Sequence, residues 1–209
     1  MSQVKDRPDG FVLAGGASSR MGVDKSGALI GGETLASRAA RILSTVAGRV
    51  AVVGAVAGET TNFEVIPDRD LDGAGWPRRA SLVGLATALA YAATDWTVVL
   101  ACDLPLVTPA LLERLASSGG EAFDAVVPVQ PDGRTQPLCA LYRRDVCLAR
   151  ADEQLASQNW SLQGLLEGLR VRRVAFAEIA DLAGSENFFL NVNTPDDLAT
   201  ARAIVRSMV

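Results

Sequence analysis

Apolar residues in this chain fall into two alternating patterns. Short blocks rich in apolar residues occupy Phe11–Ala14, Val50–Val53, Phe63–Ile66, Trp96–Ala101, Ala125–Pro128, Leu138–Tyr142 and Val171–Phe176. Blocks of this length bounded by turn residues predict strands, and the β-branched run Val50–Val53 predicts a buried parallel one. Between them, apolar residues recur every three or four positions. Leu35, Ala39, Ile42, Leu43 and Val46 form one helical stripe, and Leu82, Leu85, Ala86 and Leu89 form another. Further helices are expected from Pro109 through Leu115, over 144–156 and 161–168, and from Pro195 through Ile204.

The punctuation agrees with these elements. Thr34 and Ser81 are suited to cap the first two helices, and Gly48 to close the first. Thr108-Pro109 and Thr194-Pro195 pair an N-cap with proline at the first helical position, and Asp196 and Asp197 fall where the helix dipole favours acids. Leu29-Ile30 followed by Gly31-Gly32 reads as a short extended piece and a turn. Asp132-Gly133 predicts a turn that returns Leu138–Tyr142 antiparallel through a hairpin. Strands alternating with helices predict a mostly parallel sheet covered on both faces, with one short antiparallel element. No repeat or linker interrupts the pattern, so one domain is expected over 1–209, with its core at about 10–205.

Composition narrows the function. The 209 residues carry a net charge of −4, which argues against a broad nucleic-acid-binding face. Cations for phosphate must then act locally, and Arg20, Lys25, Arg78 and Arg79 are the candidates. There is no histidine, which excludes Ser-His triads and histidine bases and leaves carboxylates, Lys, Arg, backbone amides or a hard metal ion. Cys102, Cys139 and Cys147 show no C-x-x-C spacing, and the polar N-terminus resembles no secretory leader; reduced, mostly buried thiols in a cytoplasmic protein are expected. No apolar run approaches the roughly 18 residues a membrane span needs, so no membrane partner is expected.

The richest stretch runs from Phe11 to Lys25. Its apolar block empties into Gly15-Gly16, followed by Arg20-Met21-Gly22 and Asp24-Lys25. Glycines there let backbone N–H groups surround anionic oxygens, and Arg20 and Lys25 can neutralise the remaining charge. The spacing is not that of a Walker loop, since five residues separate Gly16 from Gly22 and Lys25 comes three later; nor is it the dinucleotide G-x-G-x-x-G. An ordinary glycine-rich strand-to-helix turn is the alternative.

Ligands of open α/β sheets sit at the carboxyl ends of strands. Asp68 follows one predicted strand and Asp103 follows the long block Trp96–Ala101. Asp103 is the metal candidate, because Mg²⁺ needs few protein carboxylates when phosphates and water complete its shell; a turn or cap aspartate is the alternative. Asp68 lies near Asp70 and Asp72, so a solvated acidic turn is also open, as is a plain surface loop for 67–80. Asn191 and Asn193 are spaced by two and would point the same way in a strand. They can orient a phosphate, a metal-bound water or a base edge, or else bond backbone before the last helix.

Together these residues resemble the molybdenum cofactor guanylyltransferase family, within the nucleoside-triphosphate-dependent nucleotidyltransferases. Leu13-Ala14-Gly15-Gly16 with Arg20-Met21-Gly22 and Asp24-Lys25 looks like the family's signature loop. Cys102-Asp103-Leu104-Pro105 is similar to its metal-binding strand end, and Asn191-Val192-Asn193-Thr194-Pro195 to its C-terminal motif. The resemblance implies a Rossmann-like three-layer α/β/α fold of nucleotidyltransferase type. It implies a Mg²⁺-dependent reaction in which a phosphate of molybdopterin attacks the α-phosphorus of GTP, releasing pyrophosphate and forming the guanine dinucleotide cofactor. Leu13, Gly15 and Gly16 would contact the nucleotide, Lys25 would bind phosphate, and Asp68 would help define the nucleotide pocket. Asp103 would hold Mg²⁺, with Asn191 and Asn193 near the acceptor or metal, and Arg20, Lys25 and Asp103 carrying catalysis. Transient contact with proteins that make or receive the cofactor would follow from that role.

The sequence departs from the family at four places. Ala80-Ser81-Leu82-Val83-Gly84 stands for Gly-Pro-Leu-Ala-Gly, Gly54 for a common Asn, Gln136-Pro137 for His-Pro, and the loop with Trp76 and Arg78-Arg79 is distinctive. These bear on base and acceptor. The pair Gly15-Gly16 favours guanine over the cytidylyl branch; CTP, another phosphorylated acceptor, or a non-catalytic nucleotide-binding role are the competing readings.

Overall fold

The computed structural model describes residues 7–14, 27–54, 62–69 and 81–207. The chain opens with β1 (Asp9–Leu13) and a small hairpin of β2 (Leu29–Ile30) and β3 (Glu33–Thr34), whose turn places Gly31 and Gly32 at φ of 59° and 86°. Positive φ at both turn positions is what a two-residue hairpin turn demands and what glycine supplies without strain. Then follow α1 (Leu35–Leu43), β4 (Arg49–Val53), β5 (Glu64–Ile66), α2 (Ser81–Tyr91) and β6 (Trp96–Ala101). The second half contains α3 (Pro109–Ser117), β7 (Ala125–Pro128), β8 (Cys139–Arg143), α4 (Arg144–Ala156), α5 (Leu162–Glu167), β9 (Val171–Val174) and α6 (Pro195–Ser207).

Seven strands form one sheet in the order β5-β4-β1-β6-β8-β7-β9. β1 is parallel to β4 on one side and to β6 on the other. β8 is the antiparallel element, running against both β6 and β7. Side-chain alternation divides the core in two. Val12, Val52, Val98 and Leu100 face α1, α3 and α6, while Phe11, Leu13, Ala51, Val53 and Val99 face α2, α4 and α5. This is the expected three-layer α/β/α arrangement.

The path reverses at β1. From β1 the chain crosses through α1 to β4, and from β5 it returns through α2 to β6 on the other side. Crossovers of one hand put their helices on opposite faces when the direction reverses, and the reversal opens a crevice at the carboxyl ends of β1 and β6.

The amino edge of the sheet is tightly closed. Asp9 is buried, and its carboxylate accepts from the N–H groups of Ala93 at 2.6 Å and Thr94 at 3.3 Å, at the turn leading into β6. Asp124, also buried, accepts from the Arg170 backbone at 2.9 Å and from its guanidinium at 2.6 and 3.0 Å. Those contacts hold the Asp124 carboxyl below its usual pKa, the guanidinium hydrogen bond being the main cause.

Local details differ from the sequence pattern at a few points. α1 ends at Leu43 rather than near Val46, because the hydroxyls of Ser44 and Thr45 turn back to the carbonyls of Ala40 and Ile42. Thr108 has N-cap backbone geometry, but its hydroxyl makes no cap bond and is buried without a partner among the described residues. Ser81 is the first residue of α2. All three cysteines are free and buried, and burial pushes the thiols of Cys139 and Cys147 up to about 12, which removes them as nucleophiles. Among the described residues no helix is long and apolar enough to cross a membrane.

Candidate active site

At the carboxyl edge, the end of β1 is stitched to both neighbours. Ala14 N–H donates to the Val53 carbonyl at 2.8 Å, and Cys102 N–H donates to the Leu13 carbonyl at 3.1 Å. The chain therefore delivers the following glycine loop from a fixed point in the middle of the sheet. Gly15, Gly16, Arg20 and Lys25 themselves lie outside the described residues.

Asp103 sits in the turn that leaves β6, beside that point. Leu104 N–H returns to the Ala101 carbonyl at 3.2 Å, and Leu104, Leu106 and Val107 are buried, so apolar packing anchors the turn. The Asp103 carbonyl accepts from Val192 N–H at 2.9 Å. This bond draws the C-terminal Asn-Val-Asn stretch to the strand end, although nearly ninety positions separate the two in sequence. The stretch is irregular rather than a strand. Val192 is buried while Asn191 and Asn193 on either side are exposed. Capping of α6 falls to other groups. The Asp197 carboxylate accepts from the N–H groups of Asn193 at 2.9 Å and Thr194 at 2.8 Å, and Asp197 N–H donates to the Thr194 hydroxyl at 3.2 Å.

Asp68 follows the edge strand β5. Its carboxyl is half-buried, makes no hydrogen bond among the described residues, and is raised above its ordinary pKa of 3.8 by burial. Leu13 and Gly84 form its surroundings. A Cβ placed on Gly84 would stand 3.7 Å from Asp68 Oδ1 and 3.7 Å from Leu13 Cδ2. Behind it, Arg69 N–H donates to the hydroxyl of fully buried Thr87 at 3.0 Å, and that hydroxyl donates to the Val83 carbonyl at 2.8 Å. The Arg69 guanidinium meets Asp152 of α4 at 3.1 Å. Thr87 was not singled out from sequence; its only signal is a lone hydroxyl among apolar neighbours in α2. Gly54, where the resembled family often has Asn, lies at φ 103° with its N–H on the Ile66 carbonyl at 2.9 Å. A side chain there would strain the backbone that leads from β4.

The remaining wall comes from the approach to β8. Ala101 N–H donates to the Leu138 carbonyl at 2.7 Å, so residues 136–138 run beside the strand end that carries Asp103. Gln136 is buried. The Pro137 carbonyl is taken by the Tyr142 hydroxyl at 2.6 Å.

Leu13, Asp68 and Gly84 are thus neighbours on one side of the switch point, and Asp103, Val192 and the two asparagines on the other. No group of three or more Cys, Asp or Glu able to hold a metal occurs among the described residues. The donor set still suits a Mg²⁺ bound largely by phosphates and water, for which one anchored carboxylate with nearby amide oxygens is enough.

A sequence model of the MobA-like NTP transferase domain matches residues 10–174. The chain belongs to this family. MobA-like relatives match almost end to end. A probable molybdenum cofactor guanylyltransferase of Pelotomaculum thermopropionicum is 34% identical, over 95% of this chain and 93% of that protein. The molybdenum cofactor guanylyltransferase of Rhizobium leguminosarum bv. trifolii is 33% identical, over 92% and 90%. Among solved structures, molybdopterin-guanine dinucleotide biosynthesis protein A from Archaeoglobus fulgidus superposes with a TM-score of 0.77 at 25% identity, over 96% of this chain and all of that one. The 2-C-methyl-D-erythritol 4-phosphate cytidylyltransferase from Thermus thermophilus shares the fold at a TM-score of 0.67 with 16% identity, over 94% and 98%. This MobA-like chain is a nucleotidyltransferase, as expected from its motifs.

Proposed function

We propose that this MobA-like enzyme transfers GMP from GTP to the phosphate of molybdopterin in the presence of Mg²⁺. An oxygen of the acceptor phosphate bonds to the α-phosphorus, and the bond from that phosphorus to the β-phosphate bridging oxygen breaks. The electron pair leaves with pyrophosphate, and the product is the guanine dinucleotide cofactor. The observation that carries the reading is the bond from Val192 to the Asp103 carbonyl, which unites two motifs far apart in sequence at the switch point beside β1. The relatives named as molybdenum cofactor guanylyltransferases support the substrates.

The roles follow from the local chemistry. A phosphate nucleophile is already ionised, so the absence of histidine costs nothing. Catalysis then rests on positioning and charge neutralisation. Leu13, Gly15 and Gly16 hold the nucleotide, and Lys25 and Arg20 meet its phosphates. Asp68, desolvated and without a hydrogen-bond partner among the described residues, is an acceptor waiting for donors of the nucleoside. Asp103 holds Mg²⁺, which supplies charge neutralisation when bound, and Asn191 and Asn193 face the acceptor. All of this is the work of one domain over 1–209, acting in the cytoplasm.

Pyrophosphate release measured with each nucleoside triphosphate, with Mg²⁺ and with molybdopterin present or absent, tests the proposal. Release with GTP that depends on both is expected. Turnover with CTP alone would overturn the guanine assignment, and GTP turnover with a different phosphorylated acceptor but none with molybdopterin would overturn the acceptor.

A further inference from the structure

The turn carrying Asp103 is tied to the rest of the molecule by backbone groups at three points: Cys102 to Leu13, Leu104 to Ala101 and Asp103 to Val192. A fourth tie comes from a side chain. Arg38, on α1, donates from Nε to the Pro105 carbonyl at 2.8 Å. Proline offers no N–H, so its buried peptide has only this carbonyl with which to take part in hydrogen bonding. The guanidinium is itself fixed. Its Nη1 reaches Glu33 at 3.0 Å, and Glu33 is held in turn by Arg41 at 2.6 and 3.1 Å. Arg38 is only 17% exposed in its side chain, against 58% for Arg41. The buried member of the cluster is therefore the one that reaches the turn. Hydrogen bonds from Arg41 and Arg38 keep the Glu33 carboxyl below its usual range, so the anchor stays charged.

We propose that Arg38, oriented by Glu33, is a positioning residue that sets the Asp103 turn for metal binding. Glu33 lies in the β2–β3 hairpin, which follows the stretch ending at Lys25 by a few residues. The cluster thus joins the segment after the phosphate loop to the turn that offers the metal carboxylate. Partners that orient a ligand without touching the metal commonly change metal affinity by roughly 10- to 100-fold when removed. A tie to the backbone rather than to the carboxylate should fall at the lower end of that range. The inference rests on the reading of Asp103 as the metal ligand.

Arg38→Met keeps the aliphatic stem and removes the donors; Arg38→Lys keeps the charge and one donor; Glu33→Gln weakens the anchor. For each, Mn²⁺ bound in the presence of GTP is measured from the loss of the free-ion electron paramagnetic resonance signal. The Mg²⁺ concentration for half-maximal turnover, the GTP KM at saturating Mg²⁺ and the thermal midpoint are also measured. Arg38→Met should raise the metal requirement about tenfold by both metal readouts, with GTP KM at saturating metal unchanged. Lys should recover part of the loss, and Glu33→Gln should shift the same way by less. If Arg38→Met does not fold, the Lys and Gln variants carry the same comparison. Folded variants whose metal midpoints match the parent overturn the inference. Asp103→Asn separates the two claims. A parental metal midpoint in that variant overturns the metal role of Asp103 and the inference with it, whereas a shift there without one in the Arg38 variants overturns the inference alone.

Discussion

Asp9 and Asp124, at the amino edge of the sheet, are buried, and each carboxylate accepts hydrogen bonds from within the fold. At the carboxyl edge, Asp68 is half-buried yet makes no hydrogen bond among the described residues. Protein interiors rarely leave polar groups unmet, because each such group forfeits water without replacement. The contrast therefore separates two settings of the same residue type: Asp9 and Asp124 are bonded into the fold, whereas Asp68 has no hydrogen bond among the described residues.

Substitutions at the two edges should accordingly move different observables. The largest effect is expected at Asp103. Asp103→Asn should lower turnover by at least about a hundredfold, since one preorganised charge-stabilising group is commonly worth that much. Its thermal midpoint should stay close to that of the parent, because the isosteric amide leaves the backbone ties and the Arg38 tie of this turn in place. An active variant with the parental Mg²⁺ dependence would remove Asp103 from the mechanism.

Asp124→Asn should do the reverse. Losing a charge-assisted pair whose arginine is largely exposed should cost about 1–2 kcal/mol of stability, while the rate per folded molecule stays parental. The pH dependence has a definite sign. The folded-state pKa of Asp124 is lowered, so its contribution is complete above 3.8 and is lost as pH falls through the lower folded value. The gap in thermal midpoint between parent and variant should close over that range. A gap that widens in acid would contradict the assignment.

A smaller effect on stability than at Asp124 is expected at Asp68, with the opposite sign. Burial raises its pKa, so below 3.8 the carboxyl is protonated in both states and carries no penalty. As pH rises, the unfolded chain ionises first, and stability is lost up to the folded value and stays lost at neutral pH. Asp68→Asn should raise the thermal midpoint by about 1–3 °C at neutral pH and by nothing in acid. The same variant should weaken GTP binding, seen as a higher KM. A variant that loses stability at neutral pH would mean that the carboxylate has a structural donor after all.

Much of the fold was legible because its signals are local. The blocks Trp96–Ala101 and Ala125–Pro128 are β6 and β7 without adjustment, and Thr194-Pro195 opens α6 as its residue types require. What escaped depends on distant partners. Nothing near Asp9 reveals that Ala93 and Thr94 will meet it, and nothing near Arg38 points to Pro105. The insertion of β8 between β6 and β7 was likewise hidden, because apolar blocks encode strands but not their order in the sheet. Asp68, Asp103 and the two asparagines were readable because they follow or flank strong elements. That the Asn-Val-Asn stretch lies beside Asp103 became visible only through the Val192 bond, and Asp68 is placed separately, near Leu13 and Gly84.

The antiparallel course of β8 has a further consequence for how this enzyme can be varied. Had the strand been parallel, its carboxyl-edge wall would have been a βα loop, tied to a helix on a face of the sheet. Instead the wall is a hairpin whose exposed tip, 131–134, is closed by the Val129–Thr135 bridge and a glycine at φ 86°. Changes of length confined to that tip leave the paired residues of β7 and β8 in register, and the tie to a helix at its base is the hydrogen bond from Gln163 of α5 to the Thr135 hydroxyl at 2.8 Å.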